Sequence, residues 1–224
     1  MATVMSEIYG KFRIPEGMTS LSRFLDWIDT TELPEKLPIR FHKGEVWVDL
    51  MEEMFSPSRI KSALGITLGA LIENGDLGMY VPDGMLFANA VAELATTPDA
   101  MFLSNAALKE KRVYFTAGKK RGAVATRVVG SPDLAVEIVS PSSEDVDTAW
   151  LMSAYHDAGV TEYWVIDARD EDNIRFDIYK RGKKEYIAGR KQDGWVKSVV
   201  LGKSFRLLRT EGKGGYVRFA LEVR

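Results

Sequence analysis

Cysteine does not occur in the chain, which excludes disulfides and thiolate metal sites together. Histidine is nearly as scarce. Only His42 and His156 are present, too few for a histidine-rich zinc centre. Any bound metal would then rest on carboxylates and carbonyls, the donors that suit Mg²⁺, Mn²⁺ or Ca²⁺. No apolar run approaches the roughly 20 residues that a membrane-spanning helix needs. The opening MATVMSEIYGKF lacks the apolar core of a secretion signal, so the expected location is the cytoplasm. An excess of positive charge is missing too: 30 Lys and Arg against 32 Asp and Glu leave a formal charge of −2. A grip on nucleic acid would have to come from local basic patches.

What is there is an ordinary globular composition, 46% hydrophobic and 28% charged over 224 residues, which places the chain among folding rather than disordered sequences. No internal repeat or low-complexity linker divides it, and a single domain over 1–224 is expected. Leu21, Phe24, Leu25 and Ile28 in MTSLSRFLDWID have helical spacing behind a Thr19 or Ser20 cap. In PIRFHKGEVWVDLM, His42–Lys43–Gly44 is a turn between two strands. A second helix is expected from Pro57 to Asn74, capped by Ser56 and ended by Asn74–Gly75. A strand-rich middle includes GMYVPDG, MLFANAVAEL and PDAMFLS; later, IRFDIYKRGKKEYIAG reads as a hairpin and WVKSVVLG as another strand. SPDLAVEIVS, a helix over about Glu144 to Ala158 capped by Ser142 or Ser143, and EYWVID form a strand–helix–strand unit. Such a unit implies a partly parallel sheet.

SPDLAVEIVSPSS, residues 131–143, sets two carboxylates, Asp133 and Glu137, in an otherwise apolar strand. Alternate residues of a strand share a face, so both acids point one way. Four residues at 3.3 Å each nevertheless separate them by roughly 13 Å, too far for one metal ion. A cation held by Glu137 needs a second acid from another strand. TPDAMFLS repeats the Pro-Asp-then-apolar pattern and offers Asp99. Asp133 reads better as a strand-start residue, and Asp147 as an acid in the first turn of the following helix.

The run GSPDLAVEIVSPSS, then Asp147, then AYHDAGVTEYWVID closely resembles a large prokaryotic restriction endonuclease family of the PD-(D/E)XK nuclease superfamily. The hairpin around KGEVWVDL, the helix begun by SPS and the PDAMFL strand resemble it more loosely. The resemblance implies a mixed α/β fold of the restriction-endonuclease-like type, a central mixed β-sheet flanked by helices. It implies that Asp99 and Glu137 hold Mg²⁺ (or Mn²⁺), that DNA is the substrate, and that the chain forms a homodimer. Two carboxylates leave such an ion open positions for a phosphate oxygen and an activated water.

A lysine normally completes this set. Two residues after Glu137 stands Val139, and Leu151 occupies the position on the next helix where this family carries its lysine. The histidine the family often has near Arg59 is absent as well. Lys61, Lys111 and Lys119 are the basic residues able to replace the lysine in space. Lys119, Lys120 and Arg121 in GKKRG are candidate phosphate contacts. The function expected is a divalent-metal-dependent DNA endonuclease. Its alternative is a catalytically degenerate nuclease-fold protein acting as a binding or assembly module. LGKS (201–204) is rejected as a phosphate-binding loop because its first glycine position, 197, is Lys.

Overall fold

The computed structural model describes residues 2–6, 10–34, 37–48, 55–117, 125–139, 145–167, 169–170 and 172–224. Its elements begin with β1 (Ala2–Ser6), β2 (Gly10–Ile14) and α1 (Leu21–Thr30). Next come β3 (Ile39–His42), β4 (Glu45–Val48) and α2 (Phe55–Asn74). The middle holds β5 (Gly78–Pro82), β6 (Leu86–Asn89), β7 (Leu94–Thr96), β8 (Ala100–Ser104), α3 (Asn105–Lys109), β9 (Val113–Ala117) and β10 (Ala125–Gly130). Then follow β11 (Leu134–Val139), α4 (Asp145–Asp157), β12 (Glu162–Asp167), β13 (Arg175–Arg181) and β14 (Tyr186–Ala188). The chain closes with β15 (Lys191–Gln192), β16 (Trp195–Lys197), β17 (Ser204–Glu211) and β18 (Val217–Val223).

The sheet that positions the site has the order β14-β13-β12-β11-β8-β5. Its β11 and β12 run parallel, joined through α4, while β8 and β13 are antiparallel to them. This is the mixed sheet and the strand–helix–strand unit that the sequence implies. Every residue of β11 is buried, because both faces of the sheet are covered, and that is why the strand reads as a nearly continuous apolar run.

One face of that sheet, with Phe102, Leu134, Val136, Ile138 and Trp164, packs against α2 and the C-terminal sheet. Helix α2 presents Ile60, Ala63, Leu64, Leu68 and Ile72 at three- and four-residue spacing to this cluster. The opposite face, with Ala135, Val139, Tyr163 and Val165, packs against Leu151, Ala154, Tyr155 and Ala158 of α4 and against the second six-stranded sheet. A third cluster joins Leu21, Phe24 and Trp27 of α1 to Ile39 and Phe41 of β3, and buried Arg127 pairs with Asp29 to tie α1 to β10.

Local signals explain most boundaries. Ser20 caps α1, accepting from the Arg23 amide. Lys43 and Gly44 both have positive φ, 46° and 90°, the geometry of a two-residue hairpin turn between β3 and β4. Gly159, at φ 80°, ends α4 as its sequence suggests.

The differences are local. Helix α2 starts at Phe55, so Ser56 lies inside it rather than before it. MLFANAVAEL is a hairpin of β6 and β7, turned by Asn89, whose Oδ1 accepts from the Ala92 amide at 2.9 Å. WVKSVVLG is strand only to Lys197, because the amides of Val199 and Val200 turn inward to buried Glu162. The proposed caps Ser142 and Ser143 lie outside the described residues.

Gly130 closes β10 at φ 113°, where an added Cβ would stand 2.0 Å from the Arg112 carbonyl oxygen. Gly130→Ala is therefore expected to lower stability by about 3 kcal/mol, from positive-φ strain plus the clash. Chemical denaturation checks this, and a loss under 1 kcal/mol would show that the backbone relaxes there.

Candidate metal and phosphodiester site

Strand register brings the two candidate acids together. In β8 and β11, Leu134 stands opposite Phe102, Ala135 opposite Met101, and Val136 opposite Ala100. The ladder ends there; Asp99 immediately precedes β8, and its side chain reaches the Ile138 amide next to Glu137, close enough for its charge to act on the Glu137 carboxyl. The neighbouring strand thus supplies what the roughly 13 Å along β11 denies.

Each carboxylate is held in place. Asp99 Oδ2 accepts from the Ile138 amide at 2.6 Å, so the backbone beside Glu137 orients it. Asp99 Oδ1 lies 3.0 Å from Lys61 Nζ, which also donates to Asp83 Oδ2 at 2.8 Å. Glu137 Oε1 accepts from Tyr155 Oη at 2.5 Å, within the core. The Glu137 carboxyl is pushed up to about 8, first by burial and then by the charge of Asp99. Burial likewise raises Asp99, against the opposing pull of Lys61 and the Ile138 amide. Both acids resist carrying their charges together, and a cation between them removes that penalty. Buried Tyr163 Oη, which has no hydrogen-bond partner among the described residues, faces the same Glu137 charge. These features fit a divalent ion held by two carboxylates. Among the described residues no cluster of three or more acids and histidines adds to the pair.

The site is not sealed. Glu137 is 5% exposed, but the Asp99 and Lys61 side chains retain 15% and 23% exposure. The pair is therefore open to solvent on the Asp99 side. Cations sit around this mouth: Lys61 from α2, and Arg40 from β3, whose charge lowers Glu137, Tyr155 and Tyr163. Arg40 escapes sequence reasoning, although alternation in β3 hints at it: Ile39 and Phe41 are core residues, so Arg40 faces the other way.

The positions where a lysine is expected are apolar in space as in sequence. Val139 and Leu151 belong to one buried cluster with Tyr155. Lys111 lies in the turn between α3 and β9, beside Arg112, which reaches Asp133 at the far end of β11. Lys119, Lys120 and Arg121 lie outside the described residues, as does the side chain of Asp147. Asp133 does structural work: its Oδ2 accepts from the Ser104 amide at 2.7 Å and its Oδ1 faces Arg112 at 3.5 Å.

A mixed sheet covered on both faces, with one acid in its central strand and a second at the start of the neighbouring antiparallel strand, is an α/β fold of the restriction-endonuclease-like class. The family described as Uma2, putative restriction endonuclease, matches residues 21–207, and the chain belongs to that family. Among solved structures, a protein from Anabaena variabilis ATCC 29413, described as a putative nuclease belonging to DUF820, is similar with a TM-score of 0.59. The likeness covers 82% of this chain and 90% of that one at 18% identity, and at that identity it speaks for the fold alone. No curated protein matches the chain.

Proposed function

We propose that the protein is a divalent-metal-dependent DNA endonuclease, hydrolysing phosphodiester bonds with Asp99 and Glu137 as the ligands of Mg²⁺ or Mn²⁺. The observation that carries this reading is the cross-strand pair itself. Like charges directly opposed on a sheet are destabilising, and a chain that keeps them buried gains when a cation is bound there. The ion would supply Lewis acidity to a phosphate oxygen and a water acidic enough to attack at neutral pH. The chain's own residues do the positioning. The Ile138 amide aims Asp99, Tyr155 aims Glu137, and the packed Val139 and Leu151 keep bulk water from the inner side. In the reaction the water oxygen bonds to phosphorus, the P–O bond to the leaving oxygen breaks, and the proton released by the water is balanced by one taken up at the leaving group.

On the same reading the chain is one domain over 1–224, cytoplasmic, and a homodimer, the form suited to cutting both strands. Lys119, Lys120 and Arg121 are assigned to phosphate contacts. A second reading, a catalytically degenerate nuclease-fold protein serving as a binding or assembly module, draws on the apolar packing of Val139 and Leu151.

Plasmid cleavage separates the two. With Mg²⁺ or Mn²⁺ the purified parent is expected to nick or linearise supercoiled DNA. Chelation stops the reaction, and Asp99→Ala lowers the rate by about 10³-fold. If parent and variant are equally inert with both ions, the module reading stands instead.

A further inference from the structure

The site lacks a basic group on β11 and on α4, yet it does not lack an ammonium. Lys61 reaches it from the other side of the sheet. Helix α2 packs Ile60 and Leu64 into the core, so Lys61 follows Ile60 at the margin of that buried stripe. From there its Nζ lies 3.0 Å from Asp99 Oδ1 and 2.8 Å from Asp83 Oδ2. Asp83, in the turn after β5, is 45% exposed and serves as the outer anchor. Asp99 forms the inner one, placing the ammonium on the solvent-facing side of the carboxylate pair.

Resting on the nuclease reading above, we propose that Lys61 is the catalytic lysine of this protein, supplied by α2 in place of the group absent at Val139 and Leu151. A ligand of any cation held by Asp99 comes within reach of a flexible side chain whose Nζ is already one hydrogen bond from that carboxylate. Its role is electrostatic. The ammonium keeps its proton and donates hydrogen bonds to a non-bridging phosphate oxygen. It thereby offsets the negative charge that accumulates as the water oxygen adds to phosphorus and the P–O bond to the leaving oxygen lengthens. Lysine suits this because it is a compact point charge with three donors on a mobile stem. Asp83 holds it near the site between turnovers. The arrangement also explains how Leu151 is tolerated: with the charge arriving from α2, the α4 position is released to pack against Val139 and Tyr155.

The test compares Lys61→Met, Lys61→Arg and the double variant Lys61→Met/Leu151→Lys with the parent and Asp99→Ala. Single-turnover plasmid cleavage at saturating protein is measured in Mn²⁺, and the Mn²⁺-induced rise in melting temperature is measured without DNA. Lys61→Met is expected to slow cleavage by about 10²-fold or more while keeping the Mn²⁺-induced rise. Lys61→Arg retains part of the rate, and the double variant recovers at least tenfold over Lys61→Met by returning an ammonium from α4. A purely structural ion pair would not predict that recovery. Parental cleavage by Lys61→Met, with Asp99→Ala inactive, overturns the role of Lys61 and leaves the nuclease reading intact. So does loss of both cleavage and the Mn²⁺ response without recovery in the double variant, which marks Lys61 as a structural partner of Asp99. An inert parent overturns the nuclease reading, and the role of Lys61 falls with it.

Discussion

Glu137→Gln is expected to abolish Mn²⁺ binding and, in the same molecule, to raise the stability of the metal-free protein at pH 8. The two effects have one cause. Burial and the charge of Asp99 hold the Glu137 carboxyl at about 8, against 4.5 in its ordinary environment. Between those values the unfolded chain has released a proton that the folded chain keeps. Stability of the metal-free protein therefore falls as pH rises from about 4.5 to about 8, and levels off above. Each unit of such a shift is worth about 1.4 kcal/mol, so the penalty at pH 8 amounts to a few kcal/mol. Glutamine carries no charge at any pH and escapes it. Part of that gain is lost because the new amide NH₂ must be buried, at about 1–3 kcal/mol if it finds no partner.

The net expectation is a melting temperature a few degrees below the parent's at pH 5 and higher by roughly 3–6 °C at pH 8, taking about 2–4 °C per kcal/mol for a chain of this size. Thermal melts in EDTA at four or five pH values check it. Parallel pH dependences for parent and variant would falsify the buried, mutually repelling pair. In Mn²⁺ the order reverses: the parent gains stability by mass action, increasingly so as pH rises and the site deprotonates, while the variant gains nothing.

The second large effect concerns a carboxylate with no part in the site. Glu162, at the start of β12, is completely buried and accepts from Trp164 Nε1 at 2.7 Å, Ser198 Oγ at 2.6 Å and the Val199 amide at 2.6 Å. The Val200 amide adds a longer contact at 3.4 Å. Ser198 Oγ in turn accepts from the Leu201 amide. One side chain thus satisfies the turn between β16 and β17 and fixes it to the central sheet. Removing it leaves three or more buried donors unpaired beside a cavity, and Glu162→Ala is expected to cost about 3–5 kcal/mol. A melting temperature lower by roughly 10 °C or more follows, with cleavage rate and Mn²⁺ response unchanged at low temperature. A loss below about 1 kcal/mol would mean that water replaces the carboxylate without difficulty. The contrast with Glu137 is instructive. Burial raises both acids, but Glu162 is surrounded by donors, whereas Glu137 has Tyr155 on one oxygen and an acidic neighbour.

Periodicity made β11, α4 and β12 legible because both strands are buried on both faces, while α4 turns Leu151, Ala154, Tyr155 and Ala158 to the core and ends at Gly159. The same signals failed at residues 198–201, where an apolar Val-Val-Leu run resembles strand but its amides serve Glu162. In MLFANAVAEL the strand content was legible, as β6 and β7, but the turn between them was not, since the Asn89 side chain that makes it looks like any polar residue in a strand. No local rule distinguishes an amide that joins a ladder from one that reaches a distant carboxylate.

By itself the sequence determined the chemistry that was possible. Without cysteine and with two histidines, a metal must rest on carboxylates. The spacing of Asp133 and Glu137 excluded them as a pair, and the Pro-Asp of TPDAMFLS pointed to Asp99. Only the tertiary structure decided how those parts meet. The antiparallel pairing of β8 and β11 brings Asp99, just before β8, against the Ile138 amide beside Glu137, Tyr155 closes on Glu137 from α4, and Lys61 arrives from a helix 38 positions earlier than Asp99 in the chain. The physical reason is that a carboxylate pair and its ammonium interact through space over a few ångströms, while sequence patterns report only which face of an element a residue occupies. From the sequence Lys61 is one of three lysines able to replace the missing one, with nothing to choose among them. Its consequence comes from the neighbour that the fold puts beside it.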